Sequence, residues 1–328
     1  MLFQGALTRR PPVSSRTHAR EVNDDLRAVK RQVFRALTGV VVGVLAFASA
    51  RAGAMSPSSD GNGEMLIAAG DIAQCGRLGY VGTGAEATAR LIDRLPATVL
   101  ALGDLAYPNG TEREFRECYD PTWGRFKART RPTPGNHDHN TPGAAPYYAY
   151  WGERAGAAGE GFYSFELGTW HIIALNSYIR DGPLKSKQEQ WLAEDLKRHP
   201  TLCALAFFHH PRFSSGGHGS DPRQDPLFRI LYSHGVDVVL GAHDHDYERF
   251  SPLDPDGRRD KQRGIRQFVV GTGGAGLTPF IWIRPYSEVR INGVHGILRI
   301  TLWAESYRWE FLSASGAKLL DTGTSECH

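Results

Sequence analysis

The feature that most constrains the fold is a pair of short apolar runs that each end at an aspartate. Residues 65–70 lead into Asp71, and residues 97–102 lead into Gly103 and Asp104. Such runs are typical of buried β-strands. Residues 84–95, between them, carry apolar side chains at helical spacing. The pattern predicts a β-α-β unit in which both aspartates lie at matching strand ends.

Three later predicted strands also end at side chains that can bind metal ions. They are Asn136 with His137 (after residues 131–134), His209 (after residues 202–208) and His243 with His245 (after residues 236–240). Ligands of α/β sheets bind at the carboxyl ends of strands. With Asp71, Asp104 and Tyr107, these groups offer carboxylate, phenolate, amide and imidazole donors. That mixture suits a pair of borderline-to-hard ions, such as iron with zinc, manganese or iron.

The rest of the chain predicts an α/β fold in one domain, residues 65–328, without an internal linker. A capping-box pattern at residues 186–189 predicts a helix that ends near His199, and Asp225 begins another helix. Long loops are predicted at residues 139–161 and 213–225, and paired strands at residues 162–165 and 171–176. Apolar runs at residues 267–270, 296–303 and 307–312 predict an antiparallel set.

The first 54 residues have the pattern of an export signal. Arg31 and Arg35 precede a mostly apolar stretch, residues 36–50, and a small-x-small site follows at residues 52–54. The alternative is an uncleaved membrane anchor at residues 36–50. Residues 55–64 are predicted to be a linker. The leader carries nine of the 38 basic and three of the 35 acidic residues, so the remainder is net acidic and no nucleic-acid partner is indicated.

The four cysteines fit no zinc-binding pattern, and export would permit disulfides. Cys75 and Cys118 each follow a candidate metal-binding loop and could pair. Cys203 lies in an apolar run and is predicted to be a buried thiol.

Two further motifs receive a modest interpretation. Residues 271–276 satisfy G-x-G-x-x-G, but Pro279 follows and no helix opens there, so a dinucleotide site is not predicted. We expect a glycine-rich loop near the rim of the site. Residues 245–249 are expected either to support the metal ligands or to form a salt-bridged turn.

Taken together, the five groups resemble the calcineurin-like metallophosphoesterases, and specifically the single-domain bacterial type of the purple acid phosphatase branch. The family blocks Asp-x-Gly, Gly-Asp-x-x-Tyr, Gly-Asn-His-Glu/Asp, Val-x-x-His and Gly-His-x-His stand here as Asp71-Ile-Ala73, Gly103-Asp104-Leu-Ala-Tyr107, Gly135-Asn136-His137-Asp138, Ala206-Phe-Phe-His209 and Ala242-His243-Asp-His245. Alanine replaces glycine at Ala73 and Ala242, which crowds two tight turns without removing a ligand. The resemblance covers roughly residues 66–274.

The resemblance implies a four-layer sandwich with two central mixed β-sheets flanked by helices. It also implies two metal ions, Fe(III) with Fe(II), Zn or Mn. The first would be held by Asp71, Tyr107 and His245, the second by Asn136, His209 and His243, with Asp104 bridging both. His210 is a rival to His209 as ligand. His137 would act as acid or phosphate contact, and His218 would contact the substrate.

The implied function is a secreted acid phosphatase-like enzyme that hydrolyses small phosphate monoesters by attack of a metal-bound hydroxide. One alternative is a phosphodiesterase that uses the same site on nucleotides or cyclic nucleotides. A less favoured alternative is a metal-binding cell-surface interaction protein without catalysis. A membrane would be involved only if the leader stays uncleaved.

Overall fold

The computed structural model describes residues 63–75 and 83–328, all within one compact unit, Pro57–His328. The predicted export signal or anchor, residues 1–54, lies outside the described residues. Of the predicted linker, residues 55–64, only Gly63 and Glu64 are described, and Glu64 pairs with Leu302 in a sheet. No helix in the described ranges is long and apolar enough to cross a bilayer.

Most strands of the described chain fall into two mixed sheets. In chain order the strands are β1 (Glu64–Ala69), β2 (Ala73–Gln74), β3 (Thr98–Leu102), β4 (Ala106–Tyr107), β5 (Thr130–Thr133), β6 (Tyr163–Leu167), β7 (Trp170–Ala174), β8 (Ala204–Phe207), β9 (Val238–Gly241), β10 (Tyr247–Phe250), β11 (Arg266–Val270), β12 (Ser287–Ile291), β13 (Gly296–Leu302), β14 (Ser306–Ser313) and β15 (Leu319–Glu326). One sheet has the order β15-β14-β13-β1-β3-β5, the other β12-β10-β11-β9-β8-β7-β6, and β2 pairs with β4.

The main core contains apolar side chains from both sheets. In β7, Ile172 and Ala174 belong to this core, whereas Ile173 belongs to a second core shared with two helices. Successive side chains of a strand point to opposite faces, so β7 is buried on both sides. This packing, with helices on the outer faces, confirms the predicted α/β fold with two central mixed sheets.

The helices of the described chain are mostly short. They are α1 (Thr83–Ile92), α2 (Glu112–Glu114, which continues as a π-helical turn, Phe115–Tyr119), α3 (Ala145–Trp151), α4 (Gly182–Arg198) and α5 (Asp225–Ser233). Two predictions were wrong in part. The predicted loop at residues 139–161 contains α3, which buries Tyr147, Tyr148 and Trp151. The helix predicted to end near His199 is present as α4, but it begins at Gly182, so the capping-box pattern at residues 186–189 lies inside it.

Two other predictions need correction. The run at residues 267–270 does not join the later antiparallel strands, because β11 lies in the other sheet, parallel to β9 and antiparallel to β10. Cys203 is not a thiol, because it forms a disulfide with Cys327. The pairing of Cys75 with Cys118 is confirmed.

The carboxyl ends of strands from both sheets meet at one place. Asp71 N donates to Gly103 O across 3.1 Å, which joins the ends of β1 and β3. Ala242 N donates to His209 O across 2.8 Å, which joins the ends of β8 and β9. Gly70 N donates to Val270 O of β11 across 2.9 Å, so the two sheets are linked directly beside Asp71.

Candidate metal centre

Asp104 lies at the middle of this junction and is 1% exposed. Its Oδ2 atom is 3.2 Å from the Tyr107 hydroxyl and 3.1 Å from His209 Nε2. Its Oδ1 atom accepts a hydrogen bond of 2.7 Å from His137 N. A Cβ on Gly135 would lie 2.1 Å from Oδ1, so this loop needs glycine to approach the carboxylate.

Asp71, Tyr107 and His245 form one group beside Asp104. The Tyr107 hydroxyl lies 2.6 Å from Asp71 Oδ1 and 3.1 Å from His245 Nε2. His245 Nε2 is 3.3 Å from the same Asp71 oxygen. Asp71 Oδ2 accepts from His243 N at 2.8 Å, which fixes the carboxylate against the loop that carries His243. A carboxylate oxygen, a phenol oxygen and an imidazole nitrogen therefore lie within 3.3 Å of one another.

His209 and His243 form a second donor group, and His209 lies within 4.8 Å of Asp71 and Asp104. His209 Nε2 is 3.2 Å from His243 Nδ1. Asn136 Oδ1 is buried and has no hydrogen-bond partner among residues 63–75 and 83–328. A buried carbonyl oxygen without a partner is costly, whereas a cation would satisfy it.

Backbone carbonyls orient two of the imidazoles. His209 Nδ1 lies 2.9 Å from Leu102 O, and His245 Nδ1 lies 2.5 Å from Gly276 O. With Nδ1–H donating outward, each Nε2 faces the carboxylates. This is the arrangement in which histidine binds metals, since the outer bond fixes the ring and the tautomer.

The carboxylates of the site shift the pKa values of the neighbouring donor groups. Burial alone would lower the pKa of His209, but Asp104 and Asp71 raise it to about 9. Burial likewise opposes the charge on His245, yet Asp71 raises its pKa to about 9. Burial and the two carboxylates raise the pKa of Tyr107 well above its ordinary value. The protons on these donors are the ones that bound metal ions would displace.

His137 and His218 flank the centre. The His137 ring lies 4.4 Å from the Tyr107 ring, its Nδ1 is 2.6 Å from Pro108 O, and its Nε2 is 4.0 Å from Asp104 Oδ2. The His218 ring lies 4.4 Å from the ring of His243, and half of its side chain is exposed. Both imidazoles therefore stand where a bound substrate could meet them.

His210, the rival ligand, also lies close to the centre. With His209 and His243 it forms a group whose donor atoms lie within 4.8 Å of one another. However, its Nδ1 is 2.9 Å from Ser177 Oγ, so this nitrogen already has a hydrogen-bond partner. His209, and not His210, contacts Asp104.

Two buried carboxyls that support the site had no assigned role in the sequence. Asp138 accepts from Gly135 N at 2.9 Å and Leu105 N at 3.2 Å, and burial followed by the Asp104 charge raises its pKa to about 7. Asp244 accepts from Ser214 Oγ at 2.5 Å and from His218 N at 2.7 Å. In the sequence, only their positions within the third and fifth family motifs could have indicated that these two aspartates support the site.

The glycine-rich loop, residues 271–276, and the segment of residues 245–249 both lie beside the centre. No helix follows the glycine-rich loop, and a Cβ on Gly271 would lie 2.6 Å from Asp71 Oδ2. Within residues 245–249, Glu248 accepts from Ser215 N at 2.8 Å, whereas Arg249 pairs with Asp321 at 2.7 Å. This segment therefore combines a contact to the His218 loop with a separate ion pair.

A second histidine cluster lies apart from this centre. His171 Nδ1 is 2.6 Å from Glu166 Oε1, and its Nε2 is 2.8 Å from Asp195 Oδ2. Burial would lower the pKa of His171, but the two carboxylates outweigh it and raise the pKa. Because both ring nitrogens already contact carboxylates, this is an ion-pair cluster, in which His171 is buried and Glu166 is exposed.

Comparison with known proteins agrees with the geometry. The sequence model of the family described as calcineurin-like phosphoesterase matches residues 57–247. Purple acid phosphatase 15 of Arabidopsis thaliana is 29% identical over 247 residues, which cover 62% of this chain and 45% of that protein. Acid phosphatase type 7 of Homo sapiens is 28% identical over 237 residues, which cover 59% of this chain and 52% of that protein.

Among solved structures, a purple acid phosphatase from yellow lupin (Lupinus luteus) seeds has a TM-score of 0.64 at 20% identity. That match covers 80% of this chain and 53% of the lupin chain. This chain therefore spans about half the length of the relatives that it matches.

Proposed function

Because the chain belongs to the calcineurin-like phosphoesterase family, we propose that it is a binuclear-metal phosphatase that hydrolyses phosphate monoesters. The observation that carries this proposal is the position of Asp104. One of its oxygens lies within 3.2 Å of both Tyr107 and His209, which belong to two different donor groups. A carboxylate between two such groups suits a ligand that bridges two metal ions. Similarity to purple acid phosphatases supports the same activity.

In this proposal, Asp71, Tyr107 and His245 hold the first metal ion, and Asn136, His209 and His243 hold the second. Asp104 serves both. The phenol and carboxylates of the first group suit Fe(III), and the nitrogen-rich second group suits Fe(II), Zn or Mn. Such a pair, when bound, would polarise a phosphoryl group and lower the pKa of a water molecule.

In this proposal, His137 and His218 contact the substrate. His137 donates through Nδ1 to Pro108 O, so its Nε2 atom is available to hold a proton for the leaving oxygen. The hydrogen bond to Asp244 raises the pKa of His218, which favours the cationic form of the ring. A phosphate oxygen would accept a hydrogen bond from that cation. Asp244 also binds the backbone of His218 and thereby fixes its loop.

We further propose that the protein is exported, as the pattern of its leader predicts. All four cysteines pair in two disulfides, which are typical of oxidising compartments. A small phosphate ester is the proposed substrate.

The test is hydrolysis of p-nitrophenyl phosphate and bis-p-nitrophenyl phosphate by the metal-loaded protein. Asp104→Asn and His243→Ala should each lower kcat/KM for the monoester by roughly 10³-fold, since transition-state charge loses its stabilisation. His234→Ala, at the end of α5, is the matched control and should keep the native rate. Native rates in both site variants would refute the proposal. A preference for the diester would move the assignment to a phosphodiesterase.

A further inference from the structure

Most of the large apolar side chains that are exposed in residues 63–75 and 83–328 lie in one loop. Seven large hydrophobic side chains are exposed in the described residues, and four of them lie in residues 279–286, which we call the rim loop. Trp282 is 76% exposed, Ile283 56%, Ile281 50% and Tyr286 46%. An exposed apolar cluster of this kind commonly marks a binding surface.

The rim loop is attached to both sides of the candidate metal centre. Directly before it, Thr278 N donates to His245 O at 3.1 Å, and His245 N donates to Thr278 Oγ1 at 3.1 Å. Further along, Ile281 N donates to Ser215 O at 2.9 Å. Ser215 is three residues before His218, so the rim loop is hydrogen-bonded to the loop that carries His218.

The attachment is firm. Ser215 is buried, and its hydroxyl and backbone N–H both donate to Glu248, at 2.5 and 2.8 Å. The same hydroxyl accepts from Arg284 N at 2.9 Å. Prolines at positions 279 and 285 restrict the backbone on both sides of the exposed segment. A loop that is held in place before binding loses little entropy when a ligand arrives.

We propose that the rim loop, through Trp282 above all, binds the apolar part of the substrate, so that aryl or long-chain alkyl phosphate monoesters are preferred. This inference rests on the proposed function. The phosphate would lie at the metal centre, and the organic group would extend toward the loop. Contacts far from the reacting atoms raise kcat/KM for the substrates that make them.

The test compares 1-naphthyl phosphate with ethyl phosphate in the full-length, metal-loaded protein. The ratio of their kcat/KM values should fall roughly three- to tenfold in Trp282→Ala, the effect of losing one aromatic contact. Taking the ratio against the wild type cancels the different reactivities of the two esters. Trp282→Phe should restore most of the ratio. Leu202→Ala is the matched control, because Leu202 is 52% exposed but precedes β8, at the strand end opposite His209.

Calorimetric binding of 1-naphthylmethylphosphonate and methylphosphonate separates this inference from the proposed function. Selective loss of naphthyl binding in Trp282→Ala supports the inference even if no ester is hydrolysed. An unchanged ratio, or an equal loss for both ligands, overturns it while leaving the phosphatase proposal intact. Trp282-dependent sedimentation with phosphatidylcholine–phosphatidylglycerol vesicles, with the ester ratio unchanged, would also overturn it in favour of membrane binding.

Discussion

Replacing Gly135 with alanine should disable the site through a clash with Asp104. The new Cβ would lie 2.1 Å from Asp104 Oδ1 and 2.4 Å from Asp104 N, whereas ordinary contact begins at 3.4 Å. Each pair of atoms must therefore separate by at least about 1 Å. Because the hydrogen bonds of Asp104 Oδ2 span 3.1–3.2 Å, a shift of this size breaks them.

A 1 Å displacement of a positioning group costs roughly 10²-fold in rate, and overpacking costs about 1–3 kcal/mol of stability. Gly135→Ala should therefore lose about two orders of magnitude in kcat/KM for p-nitrophenyl phosphate, with lower metal content in elemental analysis. Gly293→Ala is the matched control, because its Cβ meets nothing within 4 Å. If both variants show the same kcat/KM and metal content, the reasoning about Asp104 is refuted.

Three further perturbations test other parts of the account. Replacing both Cys203 and Cys327 with alanine should cost roughly 3–5 kcal/mol in urea denaturation, because their disulfide spans 124 residues; an unchanged midpoint would contradict this. His171 has a raised pKa, so its stabilising ion pairs with Asp195 and Glu166 are complete below pH 6.5 and lost as the pH rises through the raised value. His171→Gln should therefore destabilise the protein by about 1–3 kcal/mol at pH 6 and by less as the pH is raised through the pKa of the folded protein, measured in urea; a loss that does not change with pH would argue against the charge. His218→Ala should weaken inhibition by inorganic phosphate roughly tenfold, since a charge-assisted hydrogen bond is lost; an unchanged inhibition constant would place His218 outside the substrate site.

The sequence predicted the fold because the polar groups of the site follow apolar strands directly. Asp71 and Asp104 each lie two residues after the end of a strand, β1 and β3, and the short apolar runs showed where these strands lie. Parallel strand ends meet at one edge, so local pattern was sufficient to bring these donors together.

Other features depend on contacts that local pattern does not contain. The partner of Cys203 is 124 residues away, in the last strand region, and an apolar run around a cysteine is equally typical of a buried thiol. Helix α3 follows a stretch rich in glycine and proline, and it is stabilised by burying Tyr147 and Trp151 rather than by its own propensity. The support that Asp138 gives to two loops becomes visible only when β3 and β5 lie side by side.

The most direct test of the central claim is the visible spectrum of the purified protein together with its metal content. The account predicts about two metal ions per chain, iron among them, and a purple charge-transfer band from Tyr107 bound to Fe(III). The band should disappear in Tyr107→Phe while the far-ultraviolet circular dichroism stays unchanged. A protein that binds no metal after reconstitution, or a band that persists in Tyr107→Phe, would contradict the account.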